Sequence, residues 1–339
     1  GTPGADDPFQ LYVPYRLLDS RILGFDHYAD FRYHHADYVQ KELPNGERVP
    51  VIKTDADGKR CWRNLEELRE KIAPFTRRVL RRDLRKGTSQ EKIYGVERFD
   101  LAPEQRRVYD ELRKKYAVTL GDGRDVSVEY ALTLILRLQQ VASNFWPADV
   151  DARLCHHCDG GGCVECGETG TLFETETASS IVNPNPRLEA FTRLALRATE
   201  PMIVWARFTH DVQQAGNALE LIGRRVGYYT GAQSIEKKRD VRAAFAAGRL
   251  DALVGNQRAG GRGIDLSRAG LVVYYSNSFS GVDRTQSEDR AVHLDKDSPT
   301  WYVDLIARGT VDETKILPAL REKRDVGARL RGDPPTEWL

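Results

Sequence analysis

Residues 251–293 read DALVGNQRAGGRGIDLSRAGLVVYYSNSFSGVDRTQSEDRAVH, and the fold is decided there. The apolar run DALV (251–254) leads into a loop carrying Gly260, Gly261 and Gly263. A second apolar run, LVVYY (271–275), follows, and the polar spacing after it predicts a helix over 284–293. Outward from this stretch the same alternation continues. Apolar runs at 202–206 (MIVWA), 225–229 and 301–306 (WYVDLI) are separated by helical patterns at about 209–223, 234–247 and 311–329. Strands alternating with helices predict an α/β fold, a parallel sheet with helices on both faces.

The first half reads differently. Residues 1–50 are rich in aromatics and histidine and predict loop and short helix. From Trp62 to about Arg85, Leu65, Leu68, Ile72, Phe75, Val79 and Leu80 recur at three- and four-residue steps, and Pro74 predicts a break into two helices. KIYGVERFDL (92–101) alternates enough for one strand, and Pro103 sits where a helix can begin. VSVEYALTLILRLQQVAS (126–143) is the most apolar helix of this half.

At 339 residues, 40% hydrophobic and 30% charged, the chain has the composition of a globular protein of one or two domains. No apolar run is long enough to span a bilayer, and GTPGADDPFQ lacks a signal-peptide layout, so no membrane partner and a cytoplasmic location are expected. The net charge of +1 excludes a global positive field, so any polyanion site must come from local clustering. Arg77, Arg78, Arg81, Arg82, Arg85 and Lys86 form such a cluster, interrupted by Asp83.

Four of the five cysteines, Cys155, Cys158, Cys163 and Cys166, have the spacing C-x2-C-x4-C-x2-C. Two such pairs present four thiolates to one tetrahedral zinc, and Asp159-Gly160-Gly161-Gly162 makes the reversal sterically possible. With four thiolates no position stays open for water, so the zinc is expected to be structural. A disulfide pair, an iron–sulfur site and unliganded thiols are the alternatives, less suited to paired spacing in a reducing compartment. His156 and His157 are expected to be exposed rather than ligating, and Cys61 to be a small buried hydrophobe.

Two stretches of the second half carry chemical content. The loop 256–266 follows a strand, so its glycines can bring backbone N–H groups close to phosphates, while Asp265 can accept from a hydroxyl. An ordinary connection is the alternative. On a helix over 284–293, Gln286, Arg290 and His293 share one face, where an arginine can clamp phosphoryl charge. A solvated charged helix is the alternative.

In this order the two stretches resemble motifs V and VI of superfamily-two helicases, specifically the Snf-type branch. PMIVWARFTH (201–210) resembles motif IV, and TWYVDLIARGTVDETKI (300–316) the segment after motif VI. IAPFTRRVLRRDL (72–84) and FDLAPEQRRVYDEL (99–112) look like the inter-lobe linker, LRLQQVASNF (136–145) like the helix before lobe two, and Gly1-Thr2-Pro3 like the end of motif III. The likeness is closer to short prokaryotic or phage-type members than to large eukaryotic remodelers.

The resemblance implies a RecA-like second lobe at 179–330. It is preceded by a first-lobe remnant (1–60), a helical linker region (61–150) and the zinc knuckle (151–178), and followed by a tail (331–339). It implies that Gly261, Gly263, Asp265 and Asp289 face ATP, and that Gln286 and Arg290 belong to the catalytic motif VI. Arg207, Asn256 and Gln257 are implied to contact nucleic acid, Arg81 and Arg82 are expected to do so as part of the basic cluster, and a duplex DNA backbone is the expected partner. Two departures stand out. His293 occupies the place of the family's second motif VI arginine, leaving catalysis weakened or the charge supplied by another residue such as Arg284. No G-x-x-x-x-G-K-[ST] and no acidic box occur, and Arg85-Lys86-Gly87-Thr88 has the wrong order for a phosphate cradle.

ATP and magnesium are therefore expected only with a complete first lobe, supplied in cis or in trans, and the chain alone is expected not to hydrolyse ATP. The cut in the motor is expected at motif III, before Gly1. The alternatives are a non-catalytic zinc-containing nucleic-acid-binding module and an unrelated nucleotide- or sugar-binding α/β enzyme.

Overall fold

A computed structural model of the chain describes residues 7–42, 48–56, 59–76, 91–121, 128–145, 153–154, 171–172, 180–259, 264–292, 296 and 298–331. A 3-10 turn at Pro8–Leu11 opens it, followed by α1 (Tyr12–Leu18), α2 (Tyr28–His35), the hairpin β1 (Tyr38–Glu42) and β2 (Arg48–Ile52), and α3 (Leu65–Ile72). The helix at 65 stops before Pro74, where a 3-10 turn takes over, as the proline requires. The hairpin was not anticipated from the sequence. Cys61 is half-buried rather than buried, and its backbone continues the hairpin's bonding, with N–H donating to Lys53 O at 2.8 Å.

Next come β3 (Lys92–Phe99), α4 (Pro103–Gly121), α5 (Val128–Ala142) and the stubs β4 (Arg153–Leu154) and β5 (Thr171–Leu172). The remainder is α6 (Pro186–Arg197), β6 (Met202–Ala206), α7 (Thr209–Leu221), β7 (Val226–Tyr229), α8 (Ile235–Ala246), β8 (Ala252–Asn256), β9 (Leu271–Tyr274), α9 (Gly281–Asp289), β10 (Thr300–Ala307) and α10 (Leu317–Arg331). The five strands expected in the second half are all present, and so are the helices between them.

Six strands form one parallel sheet in the order β3-β10-β9-β6-β8-β7. The strand at 92–99, within the span expected to be linker, is an edge of this sheet and pairs along its whole length with β10. The apolar runs are continuous because the sheet is covered on both faces. Met202, Val204 and Ala206 of β6 join Val254, Val273 and Phe191 in one core. Ile203 and Trp205 join Leu253, Tyr274 and Phe245 in the other. A third, aromatic core holds the N-terminal elements around Phe9, Tyr12, Phe31 and Leu68, and Val326 of α10 packs into it. No helix among the described residues is long and apolar enough to cross a membrane.

Candidate functional site

After β6 the chain builds β7 and β8 on one side of that strand, then crosses to build β9 and β10 on the other. In open parallel sheets such a switch point opens a crevice at the carboxyl ends of the strands, where ligands bind. Arg207 follows β6, Gln257 and Arg258 follow β8, and Ser276 and Asn277 follow β9, so these residues converge there.

The crevice wall is stitched by side chains. The Asn256 amide donates to Ala206 O at 3.1 Å and to Arg207 O at 3.3 Å, so it ties β8 to β6 instead of reaching outward. The backbone N–H of Arg207 donates to Ser276 Oγ at 2.8 Å, and that hydroxyl donates to the buried Asp211 carboxylate at 2.6 Å. Gln257 is buried. The half-buried Arg207 guanidinium donates to Gln139 Oε1, and Gln139 Nε2 donates to Asn277 O at 3.0 Å. Burial pushes Arg207 down to about 10, with Asp312 opposing the shift and nearby Arg258 adding to it. Arg207 therefore stays charged at neutral pH, held by a neutral amide, and an arriving anion would restore what burial removed. Arg258 lies 3.5 Å from Asp283 and keeps 40% of its side chain exposed.

Beneath this wall Arg187 is buried. It donates to Asp312, to Tyr275 O, to Leu305 O at 3.3 Å and to Ala142 O at 3.3 Å, so one side chain clamps α5, β9 and β10. The sequence carries no signal for this role. Gln139 does carry one, as a polar residue within the most apolar helix of the first half.

The second group of residues lies along α9. Ser280 caps the helix, accepting from Asp283 N–H at 3.0 Å. Arg284 is buried, 3.5 Å above the Tyr274 ring, and donates to Asp304 at 2.6 and 2.9 Å, to Glu288 at 2.8 Å and to Asn277 at 3.1 Å. Such a group cannot supply charge to a ligand, so the expectation that Arg284 replaces the missing arginine is overturned. Glu288 in turn accepts from Tyr94 at 2.9 Å and pairs with Lys92 and Arg324. Burial pushes its carboxyl up, but Lys92, Arg284 and Arg324 outweigh that and hold it at about 2. With Arg284, Ser287 and Glu288 buried, α9 is not a solvated charged helix.

α9 ends at Asp289, four residues short of the expected boundary, and Arg290 is its C-terminal cap. Residues 290–292 therefore lie beyond the helix, and His293, expected to share a face with Gln286 and Arg290, is outside the described residues. Gln286 is half-buried. Asp289 accepts from Lys92, the first residue of β3, at 3.1 Å. The Arg290 carbonyl accepts from Leu266 N–H at 3.0 Å, which brings the exposed Asp265 beside the end of α9. Asp265 itself turns back to accept from Ser267 N–H at 2.9 Å.

The predicted residues thus form two groups. Arg207, Asn256 and Gln257 lie at the carboxyl ends of the strands. Asp265, Asp289 and Arg290 lie toward the amino ends, where β3 begins. α9 spans the distance with a rise of about 13 Å over its nine residues. Gly261, Gly263, His293, Arg81, Arg82, Cys155, Cys158, Cys163 and Cys166 fall outside the described residues. Among the described residues no group of three His, Cys, Asp or Glu side chains could hold a metal.

Comparison with known proteins decides which architecture this is. Residues 186–295 match the helicase conserved C-terminal domain. That match contains α6 through α9, so both groups of residues lie within the matched stretch. Its sheet and flanking helices have the architecture of a RecA-like helicase C-terminal lobe. The chain is 35% identical over 98 residues to the chromatin-remodeling ATPase INO80 of Drosophila melanogaster, covering 28% of this chain and 6% of that protein. It is 23% identical over 295 residues to YwqA of Bacillus subtilis, a putative ATP-dependent helicase/translocase, covering 83% of this chain and 28% of the relative. The chain therefore spans a minor part of the relatives it matches. Among solved structures, the C-terminal part of the Fun30 ATPase domain is similar in fold. Its TM-score is 0.50 at 13% identity, covering 73% of this chain and all of that one.

Proposed function

We propose that this chain acts as the C-terminal lobe of a Snf-type, nucleic-acid-dependent ATPase or translocase. Its carboxyl-end crevice grips a nucleic-acid backbone, with duplex DNA the expected partner. The corner at Arg290 faces a nucleotide held by a first RecA-like lobe. The observation that carries this reading is the placement of the two groups at opposite ends of α9 within the matched domain. One rigid, ion-paired helix would link nucleotide to backbone. Arg207 and Arg258 supply phosphate contacts, so binding should be largely independent of sequence. Arg290 can meet developing phosphoryl charge only when a partner lobe closes the cleft.

Two assays test this. Duplex DNA binding followed by fluorescence anisotropy should weaken severalfold in Arg258→Ala with no change in melting temperature. An unchanged affinity contradicts the assignment. The purified chain should show no nucleic-acid-stimulated ATP hydrolysis, and turnover that Arg290→Ala abolishes would contradict it.

We also propose one structural zinc held by Cys155, Cys158, Cys163 and Cys166. β4 and β5 support it, because Leu154 pairs with Thr171 and so brings together the two ends of the cysteine segment. Metal analysis under reducing conditions should return one zinc per chain, and less than half an equivalent contradicts the site.

A further inference from the structure

The N-terminal elements hold several cations over aromatic rings, and they differ in how the charge is balanced. Arg60 lies 4.9 Å from the Trp62 ring and is paired with Glu322, while Lys71 lies 5.0 Å from the Phe25 ring and is paired with Glu67. Arg16 and Arg32 are not balanced this way. Arg16 lies 5.8 Å from the Tyr12 ring and donates to the Phe25 carbonyl at 3.0 Å. Arg32 lies 5.7 Å from both the Tyr28 and Tyr38 rings, and its Nε donates to Tyr38 Oη at 3.2 Å. Among the described residues no carboxylate oxygen lies within ion-pair distance of either guanidinium.

These groups form a continuous row. The Tyr12 and Tyr28 rings are 5.2 Å apart, Arg32 bridges Tyr28 to Tyr38, and the Tyr38 and Tyr33 rings are 4.7 Å apart. Tyr28 and Tyr33 are 45% and 53% exposed. Local sequence explains the row, because Tyr28 and Arg32 share a face of α2 at i and i+4 and the turn after His35 folds Tyr38 back beside them. The acidic groups on these elements do not neutralise it. Asp7 accepts from Phe9 N–H at the first turn, Asp19 is paired with Arg21, Asp37 with Arg63 and Glu42 with Arg48, and among the described residues no arginine lies within ion-pair distance of Asp26 or of the exposed Asp30.

We propose that this row is a second nucleic-acid contact, separate from the crevice, that takes unpaired bases. Tyr28 and Tyr33 offer ring faces on which bases stack, and Arg16 and Arg32 offer N–H groups to the phosphates between them. Stacking of this kind tolerates any base and requires that the base be out of a duplex. Charge complementarity selects a polyanion, and the exposed rings select one with planar groups. A duplex backbone would satisfy only the arginines.

The test measures binding of the full chain to labelled oligothymidylate of about 20 nucleotides, to a duplex of the same length and to an abasic strand. The Tyr28→Ala/Tyr33→Ala double variant removes two exposed side chains and should fold normally, checked by circular dichroism. Its affinity for oligothymidylate should fall roughly tenfold or more while duplex affinity holds. Arg32→Met should weaken the oligothymidylate and the abasic strand alike. Three results overturn the proposal: oligothymidylate affinity unchanged in the double variant, equal loss on single strand and duplex, or an abasic strand bound as tightly as oligothymidylate by the unaltered chain. Failure of the crevice reading would appear separately, as duplex affinity indifferent to Arg258→Ala.

Discussion

Arg284 shows how far a single side chain can depart from the role its position suggests. An arginine on the polar helix α9 looks available to a phosphate, yet here it is sealed between Asp304, Glu288, Asn277 and the Tyr274 ring. Its function is mechanical, because removing it leaves Asp304, fully buried, without its bidentate cation. Arg284→Met should therefore destabilise the chain by about 3–5 kcal/mol in chemical denaturation. A loss below about 1 kcal/mol, the scale of a surface ion pair, would show that the network contributes little. The same network sets an acid limit. Glu288, ordinarily near 4.5, is held at about 2 in the folded state, so its folded pKa is depressed. Its contribution is complete above about 4.5 and is lost as pH falls toward 2. Thermal melts should decline through that window, and Glu288→Gln should decline less steeply while starting lower. Parallel curves for the two proteins would contradict this.

The elements were the most legible part of the sequence, and their boundaries follow from physics that local pattern carries well. MIVWA, DALV and LVVYY announce buried parallel strands because both faces of each are covered, leaving no polar alternation to confuse the period. The edge strand β3 was legible as a strand but not as a member of this sheet, since its partner β10 lies about two hundred residues away. The end of α9 comes earlier than the spacing of Gln286, Arg290 and His293 predicts, because side-chain spacing carries no record of tertiary bonds. Tertiary bonds decide otherwise: Leu266 N–H takes the Arg290 carbonyl, and Ala291 drops into the core. The close packing of β8 on the edge strand β7 depends on a glycine. A Cβ on Gly255 would sit 2.1 Å from the Tyr229 carbonyl oxygen, which is backbone and cannot move aside. Gly255→Ala should separate β7 from β8 and cost about 1–3 kcal/mol in denaturation, with duplex binding weakened. Wild-type stability in that variant would mean the edge strand yields freely.

At the scale of the molecule, two aromatic and aliphatic bodies are tied through α10, where Glu322 takes Arg60 at 2.8 Å and Val326 enters the N-terminal core. The sequence could not announce this tie, because neither residue has a patterned neighbour that points across 262 positions. What it did announce was the order of blocks in the second half, and the helicase C-terminal domain matches over 186–295. The proposed grip draws on a subset of the residues that motif resemblance implied. Asn256 ties β8 to β6 and Gln257 is buried, so the proposal rests phosphate contact on Arg207 and Arg258. In the proposed function the lobe holds a backbone by charge and not by sequence. The most direct measurement is the affinity for two duplexes of equal length and unrelated sequence across a salt series. The predicted result is one common line in log affinity against log salt, falling steeply, and made shallower by about one unit in Arg258→Ala. Affinity that ignores salt, or that separates the two sequences widely, would contradict it.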